Sequence, residues 1–252
     1  MQVVAAEDTR SAQHLLTHHG LRAPSLVSYF EGNEAQRSEQ LLARLAAGED
    51  VALISEAGTP GVSDPGARLI ARAVEAGVTV TPIPGPSAVI TGLVGAGLPT
   101  DEFHFVGFPP RDPGPRRERF ARLRTLESTL VFYEAPGRTG QTLADLAATL
   151  GGERRACVAR ELTKIHEEFV RGTLSELAAR YAETPPRGEV TLVIAGAPAG
   201  EPEAAVDIEA EVRRRLVAGE GPKEIAAALA LTTGKPRRQL YQLALALRPR
   251  DP

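Results

Sequence analysis

The sequence predicts an α/β protein, with two α/β domains and a small helical domain after them. Three observations carry that expectation. Short apolar runs alternate with helix-length amphipathic segments as far as residue 198, the grammar of a largely parallel sheet covered by helices. Twice the chain leaves such a run through a long Gly/Pro-rich loop, at 55–66 and 84–88, where a strand-to-helix connection usually takes about two to six residues. Past a flexible stretch near 197–204, residues 207–247 show helical periodicity three times over and no strand pattern.

Taken in order, Val3–Ala6 reads as a strand and 8–20 as a helix capped by Asp8 or Thr9 and stopped by Gly20. A strand follows over 24–30. Residues 35–48 form a helix with Leu41, Leu42 and Leu45 on one face. Strand 51–54 opens into the loop SEAGTPGVSDPG, a helix spans 67–76, and the run VTVTPI at 78–83 reads as a further strand. PGPSA at 84–88 then feeds an apolar helix. The four prolines of 108–117 mark a linker or exposed loop between domains. Beyond it come helix 116–126, strand 129–134, helix 138–150, strands 155–161 and 167–173, helix 174–182 and strand 189–196. Several of these strands mix apolar and polar residues, so they are expected to be half-buried. The domains are thus 1–107, 118–198 and 205–252.

Composition narrows the function classes. Of 252 residues 42% are hydrophobic, enough for a real core, and the net charge of −3 rules out a polycation, so nucleic-acid binding needs a local patch. One cysteine, Cys157, excludes a disulfide framework and a cysteine zinc site. No apolar run of about 18 residues occurs and the start carries no signal-like pattern, so a soluble cytoplasmic protein is expected. His14 and His18 are four apart on one helix, yet no third ligand is in register, and no metal is expected.

The two Gly/Pro loops leave strands of one sheet and should converge outside the strands' carboxyl ends, where open α/β sheets bind ligands. Glycine lets backbone approach a ligand, and proline holds a loop in shape beforehand. Neither a G-x-G-x-x-G fingerprint nor a P-loop is present, and IHEEF is not H-E-x-x-H.

Six motifs, in order, carry a resemblance: AAEDTR (5–10), EAGTPGVSDPG (56–66), PGPSA (84–88), FYEAPGR (132–138), ARELTKIHEE (159–168) and GEVTLVI (188–194). With them the chain resembles the tetrapyrrole-methylase superfamily, and most closely its branch of 16S ribosomal RNA cytidine 2′-O-methyltransferases. The resemblance implies S-adenosylmethionine in a cleft between the two α/β domains, a homodimer, and the small ribosomal subunit as partner near its decoding centre. Gly58, Thr59, Pro60, Gly61 and Asp64 would form one wall of the donor pocket and Pro84, Gly85 and Ser87 a second. Tyr133, Glu189 and Thr191 of the later domain would complete it, with GEVTL over the adenine. Gly137 stands where the family commonly has histidine. The family also opens with a strand and a TPIGNL-like loop that precede AAEDTR. That strand is expected to pair at or beside Val3–Ala6, and without it donor binding is expected to be weak.

A ribose hydroxyl is a poor nucleophile until its proton is removed or its charge stabilised. The candidates for that work are Glu56, Glu134, Arg160, Glu161 and Lys164. Two readings of the proton acceptor stand side by side: a desolvated, low-titrating Lys164, or Glu161 with Lys164 anchoring phosphate. Positive charge for RNA lies in 111–124, with six arginines against Asp112 and Glu118, and in 205–252, with nine Lys/Arg against six acids. Two other readings remain open: a precorrin or porphyrinogen C-methyltransferase, and a ligand-sensing regulator that binds duplex DNA through its tail.

Overall fold

The computed structural model describes residues 1–198, 208–233 and 236–247; most of the expected linker at 197–204, with Gly234 and Lys235, lies outside them. The chain divides into two compact units, Met1–Ala197 and Pro198–Pro252.

The first unit holds two sheets. In the first, β1 (Val3–Ala6) lies between β2 (Ser25–Ser28) and β3 (Val51–Ile54), all parallel. Helices α1 (Thr9–His18), α2 (Glu34–Ala46) and α3 (Ala67–Glu75) follow the three strands. Val3, Ala5, Tyr29, Leu41 and Leu69 form the core here. Every residue of β1 is paired on both sides, so a further strand has no place directly at Val3–Ala6; among the described residues the open edges of this sheet are those of β2 and β3, beside it. The expected strand at 78–83 is also not formed. A strand exists only where a neighbour completes its backbone hydrogen bonds, and this run has no ladder partner and exposes Ile83.

The second sheet runs β4 (Phe103–Gly107), β5 (Thr129–Glu134), β8 (Val190–Ile194), β6 (Arg155–Arg160), β7 (Glu168–Thr173). Only β4 and β5 are parallel; the other pairs are antiparallel, so the expected parallel pattern holds for the first sheet alone. Strand β4 was not foreseen. It is a short edge strand with two of its five residues exposed and only Val106 fully buried, and it lacks clear alternation. Helices α4 (Ala88–Ala96), α5 (Pro113–Ala121), α6 (Thr139–Leu150) and α7 (Leu174–Arg180) cover the sheet. Part of the supposed linker is therefore helix: Pro113 starts α5 at a first-turn position that needs no N–H.

Helix α4 packs Val89, Leu93 and Ala96 onto Val131, Cys157 and Val193. It lies very close because Gly92 and Gly95 carry no side chain. A β-carbon on Gly92 would stand 2.9 Å from the Thr191 methyl, and one on Gly95 would stand 2.3 Å from the Phe169 ring. On the other face Leu143, Leu146, Leu174 and Leu177 pack against Leu130, Phe132, Leu192 and Ile194. Covered on both faces, β5 and β8 are buried almost throughout, not half-buried as their mixed composition suggested.

The second unit is helical: α8 (Ile208–Val217), α9 (Pro222–Thr233) and α10 (Arg237–Ala246). Val212, Ile225, Ala226, Leu229, Leu240 and Ala244 make its own core.

Candidate active site

The loop after β3 is folded on itself. Gly61 N–H donates to the Pro65 carbonyl at 3.2 Å and Val62 N–H to that of Thr59 at 3.1 Å. Gly66, at φ +141°, sits where a side chain would meet Leu53 at 2.6 Å, and its N–H donates to Glu34 Oε1 at 3.1 Å. The same carboxyl oxygen accepts the Tyr29 hydroxyl, which ties the loop's end to α2. Thr59 Oγ1 donates to the Pro86 carbonyl at 3.2 Å, so the two Gly/Pro loops do meet as expected. Ser87 caps α4. Gly58 (φ +92°) faces open space, and a β-carbon on Gly85 would meet only the Ile83 carbonyl, at 3.9 Å.

Across from these loops stands Tyr133. Its ring packs edge-on against Phe105, centroids 5.0 Å apart, and tilted against Phe108 at 5.5 Å. Its hydroxyl accepts the Val89 N–H; burial and the nearby charges of Asp64 and Glu189 hold its pKa above the usual phenol value. Asp64 is likewise shifted upward, first by burial and then by the carboxylates of Glu189 and Glu56. Asp64, Tyr133 and Glu189 thus face one region, together with the start of α4. Thr191 lies beneath it, buried with its methyl against Gly92.

A second group gathers after β6. Glu161 (φ +49°) and Thr163 (φ +67°) hold the left-handed backbone that non-glycine residues rarely adopt, a form of strain that concentrates at functional sites. Lys164 Nζ lies 3.0 Å from both Glu161 Oε1 and Glu189 Oε2, and Glu189 N–H donates to Glu161 Oε1 at 3.1 Å. The hydrogen bonds to Glu189 and Glu161 raise the Lys164 pKa, and the one from Lys164 lowers that of Glu161. The low-titrating lysine is thereby overturned: two carboxylates keep it charged. Arg160 is engaged with Glu168 at 2.6 Å.

Glu134 is elsewhere. Side chains of successive strand residues point to opposite faces, and Tyr133 packs on the α4 side while Glu134 turns under α6. Its buried carboxylate accepts Ala135 N–H at 2.8 Å and Thr142 Oγ1–H at 2.6 Å, and pairs with Arg138. Glu56, by contrast, is exposed and accepts from Ser11 Oγ at 2.8 Å. It lines, with Glu7, Asp8, Arg10, Ser11 and His14 among others, a cavity of about 500 Å³ where β1 and β3 end against α1.

The arginines of 111–124 are mostly occupied. Arg116 is buried and donates to Asp145 Oδ2 at 2.8 and 2.5 Å, Arg117 donates to Asp145 Oδ1 at 2.7 Å, and Arg122 pairs with Glu118. Arg119 NH2 donates to the Val106 carbonyl at 2.5 Å and so holds the strand end before Phe108. Most of that positive charge serves packing. Phe105, Phe108, Glu7 and Arg10 were not among the expected site residues. The two phenylalanines were hidden because β4 was not assigned, and the other two because AAEDTR was a signature without a role.

Comparison with known proteins gives this geometry a family. The family model described as Tetrapyrrole (Corrin/Porphyrin) Methylases matches residues 1–178. A protein of Synechocystis sp. named Ribosomal RNA small subunit methyltransferase I is 45% identical over 249 residues, 98% of this chain and 89% of that one. One of the same name from Micromonospora olivasterospora is 47% identical over 95% of this chain and 77% of its own. Among solved structures the methyltransferase CobJ superposes with a TM-score of 0.55 at 17% identity, covering 78% of this chain and 94% of that one; at this identity the likeness is one of fold. The chain belongs to the tetrapyrrole (corrin/porphyrin) methylase family, and within it to the group of ribosomal RNA small subunit methyltransferase I.

Proposed function

We propose that this protein transfers a methyl group from S-adenosylmethionine to the 2′-hydroxyl of a cytidine in 16S RNA of the small ribosomal subunit. The observation that carries the reading is 45% identity to a relative of that name across nearly the whole chain. The residues present fit the donor. Gly58 and Gly85 leave space for backbone contact, Asp64 and Glu189 place negative charge beside a cationic ligand, and Tyr133 with Phe105 and Phe108 offers an aromatic wall for a purine. Thr59, Pro60, Gly61, Pro84 and Ser87 complete the walls, with Thr191 supporting them through α4.

The bound donor supplies an electrophilic methyl on sulfur. Glu56, oriented by Ser11, would accept the proton of a ribose hydroxyl bound beside it. Lys164 stays charged between Glu161 and Glu189 and keeps the 161–165 backbone in place, with Arg160 beside it for the RNA phosphates. The helical unit adds grip. The α8 arginines Arg213, Arg214 and Arg215 are engaged with Glu209, Glu211 and Glu220, while Arg237 and Arg238 stand exposed on the first turn of α10. The protein is taken to act as a homodimer in the cytoplasm, which light scattering of the purified chain addresses.

The test is donor-dependent labelling of small-subunit particles from a strain lacking this enzyme, followed by nucleoside mass spectrometry. Labelled 2′-O-methylcytidine is expected. Label on a tetrapyrrole with none on RNA overturns the reading in favour of the C-methylase branch, and tight duplex-DNA binding without transfer overturns it in favour of the regulator.

A further inference from the structure

The cavity between α1 and the ends of β1 and β3 lies beside the donor-facing loops, and none of the residues expected in the donor pocket lines it. A shallower depression of about 600 Å³ continues from it along α1, lined by Thr9, Arg10, Gln13, His14, Thr17 and Leu26. Arg10 and His14 belong to both. Resting on the reaction proposed above, we infer that these two depressions seat the acceptor strand. The nucleoside to be methylated enters the inner cavity, and Arg10 and His14 hold the neighbouring nucleotide at its rim.

Size and chemistry both support this. The inner volume falls within the roughly 300–1,000 Å³ typical of small-molecule sites. Its polar floor is made of acceptors, the carboxylates of Glu7 and Glu56, and an ionised carboxylate cannot donate. Groups that satisfy such a floor are donors, such as ribose hydroxyls and the exocyclic amine of a cytosine. A phosphate placed against those two carboxylates would meet like charge. At the rim the chemistry reverses. The Arg10 side chain is 92% exposed, and its 3.0 Å tie to Asp8 is a solvent-screened ion pair, readily exchanged for a phosphate. Asp8 keeps its own duty meanwhile, since its Oδ1 caps α1 by accepting the Arg10 N–H at 2.7 Å.

Position completes the case. Glu56 belongs both to the cavity and to the loop that faces the donor, and Ser11 of α1 fixes it. Glu7 lines the same cavity, and burial, followed by the carboxylates of Asp64 and Glu56, raises its pKa. A hydroxyl held in this cavity lies within the lining to which Glu56 belongs.

The experiment uses Arg10→Ala, His14→Ala and the double variant of the full chain. Both side chains are exposed, so folding is expected to survive, and thermal unfolding verifies it. A photo-crosslinking amino acid replacing Gln13, in the outer depression, gives an independent readout. Donor affinity by calorimetry should stay within about twofold. The KM for unmodified small-subunit particles should rise about tenfold or more in the double variant, and the Gln13 probe should cross-link to RNA. A tenfold loss of donor affinity assigns the cavity to the donor and overturns the inference. So does an unchanged KM with no cross-link while the unaltered protein methylates the particles. Failure of the unaltered protein to methylate them overturns the proposed reaction, and this inference with it.

Discussion

Gly85 and Gly58 both leave room for a side chain but differ in backbone. Gly58 is held at φ +92°, so a branched residue there adds about 1–2 kcal/mol of strain to any steric effect on ligand. Gly85 has no such conformation, and the nearest atom to its absent β-carbon is 3.9 Å away. Gly85→Val is therefore the cleaner probe. It should leave the melting temperature nearly unchanged and reduce S-adenosylmethionine affinity tenfold or more in calorimetry. Unchanged affinity in the folded variant would remove the 84–88 loop from the pocket. Cys157 sits at the opposite extreme. Buried in the core, its thiol is pushed up to about 11, and it should resist alkylation until the protein unfolds.

At the scale of elements, α5 is held to α6 by one charge cluster, with Asp145 receiving both Arg116 and Arg117. Asp145→Asn leaves Arg116, which is 1% exposed, without its counter-ion; breaking such a buried pair costs about 3–5 kcal/mol. A matching fall in urea midpoint is expected. The pH dependence has a definite sign. Burial pushes the Asp145 pKa up, but hydrogen bonds from Arg117 and Arg116 outweigh it and the net shift is downward. The stabilisation is thus complete above the unfolded carboxylate value near 4 and is lost as pH falls through the lower folded value. Urea titrations from pH 7 to pH 3 should show the unaltered protein losing stability and the Asn variant responding less.

Elements of this kind were legible in the sequence to very different degrees. Where apolar spacing and a cap coincide, as in α1 with Asp8 or α7 with Thr173, the helix was readable within a residue or two. Strand 78–83 failed because its pattern is local while its existence depends on a neighbour. The two-sided burial of β5 and β8 was hidden for a related reason: their cover on one face comes from α4, which ends more than thirty residues before β5 begins. In the site, the glycines and prolines of 55–66 and 84–88 announced two loops that meet in the structure. The sealed position of Glu134 and the two carboxylates around Lys164 are three-dimensional facts with no local signature.

On the whole-molecule scale, Met1–Ala197 has cores separate from that of the helical unit. Removal of residues 205–252 should leave donor affinity intact and weaken binding to small-subunit RNA. Glu211, drawn down to about 2 by Arg214 and Arg215, marks α8 as internally balanced. Arg237→Glu with Arg238→Glu should therefore flatten the salt dependence of RNA binding, because fewer counterions are released, while reversal of α8 arginines should not. RNA affinity unaltered by the truncation would make the tail a packing or dimer element.

Helix α4 also decides where this enzyme can be cut and rejoined. It follows the first sheet in sequence, yet it lies on the second through Gly92 and Gly95, and Arg171 donates to the carbonyls of Ala96 and Gly95 at its end. A hybrid of two relatives spliced after residue 107 would marry the α4 of one parent to the sheet of the other. A single larger residue in place of either glycine, or a bulkier one at Thr191 or Phe169, would then jam the seam. Spliced inside the unpaired run 78–83, the same parents would each keep their own matched surfaces. Hybrids joined there should be recovered soluble and cooperative in thermal unfolding, and those joined after 107 should aggregate or melt many degrees lower.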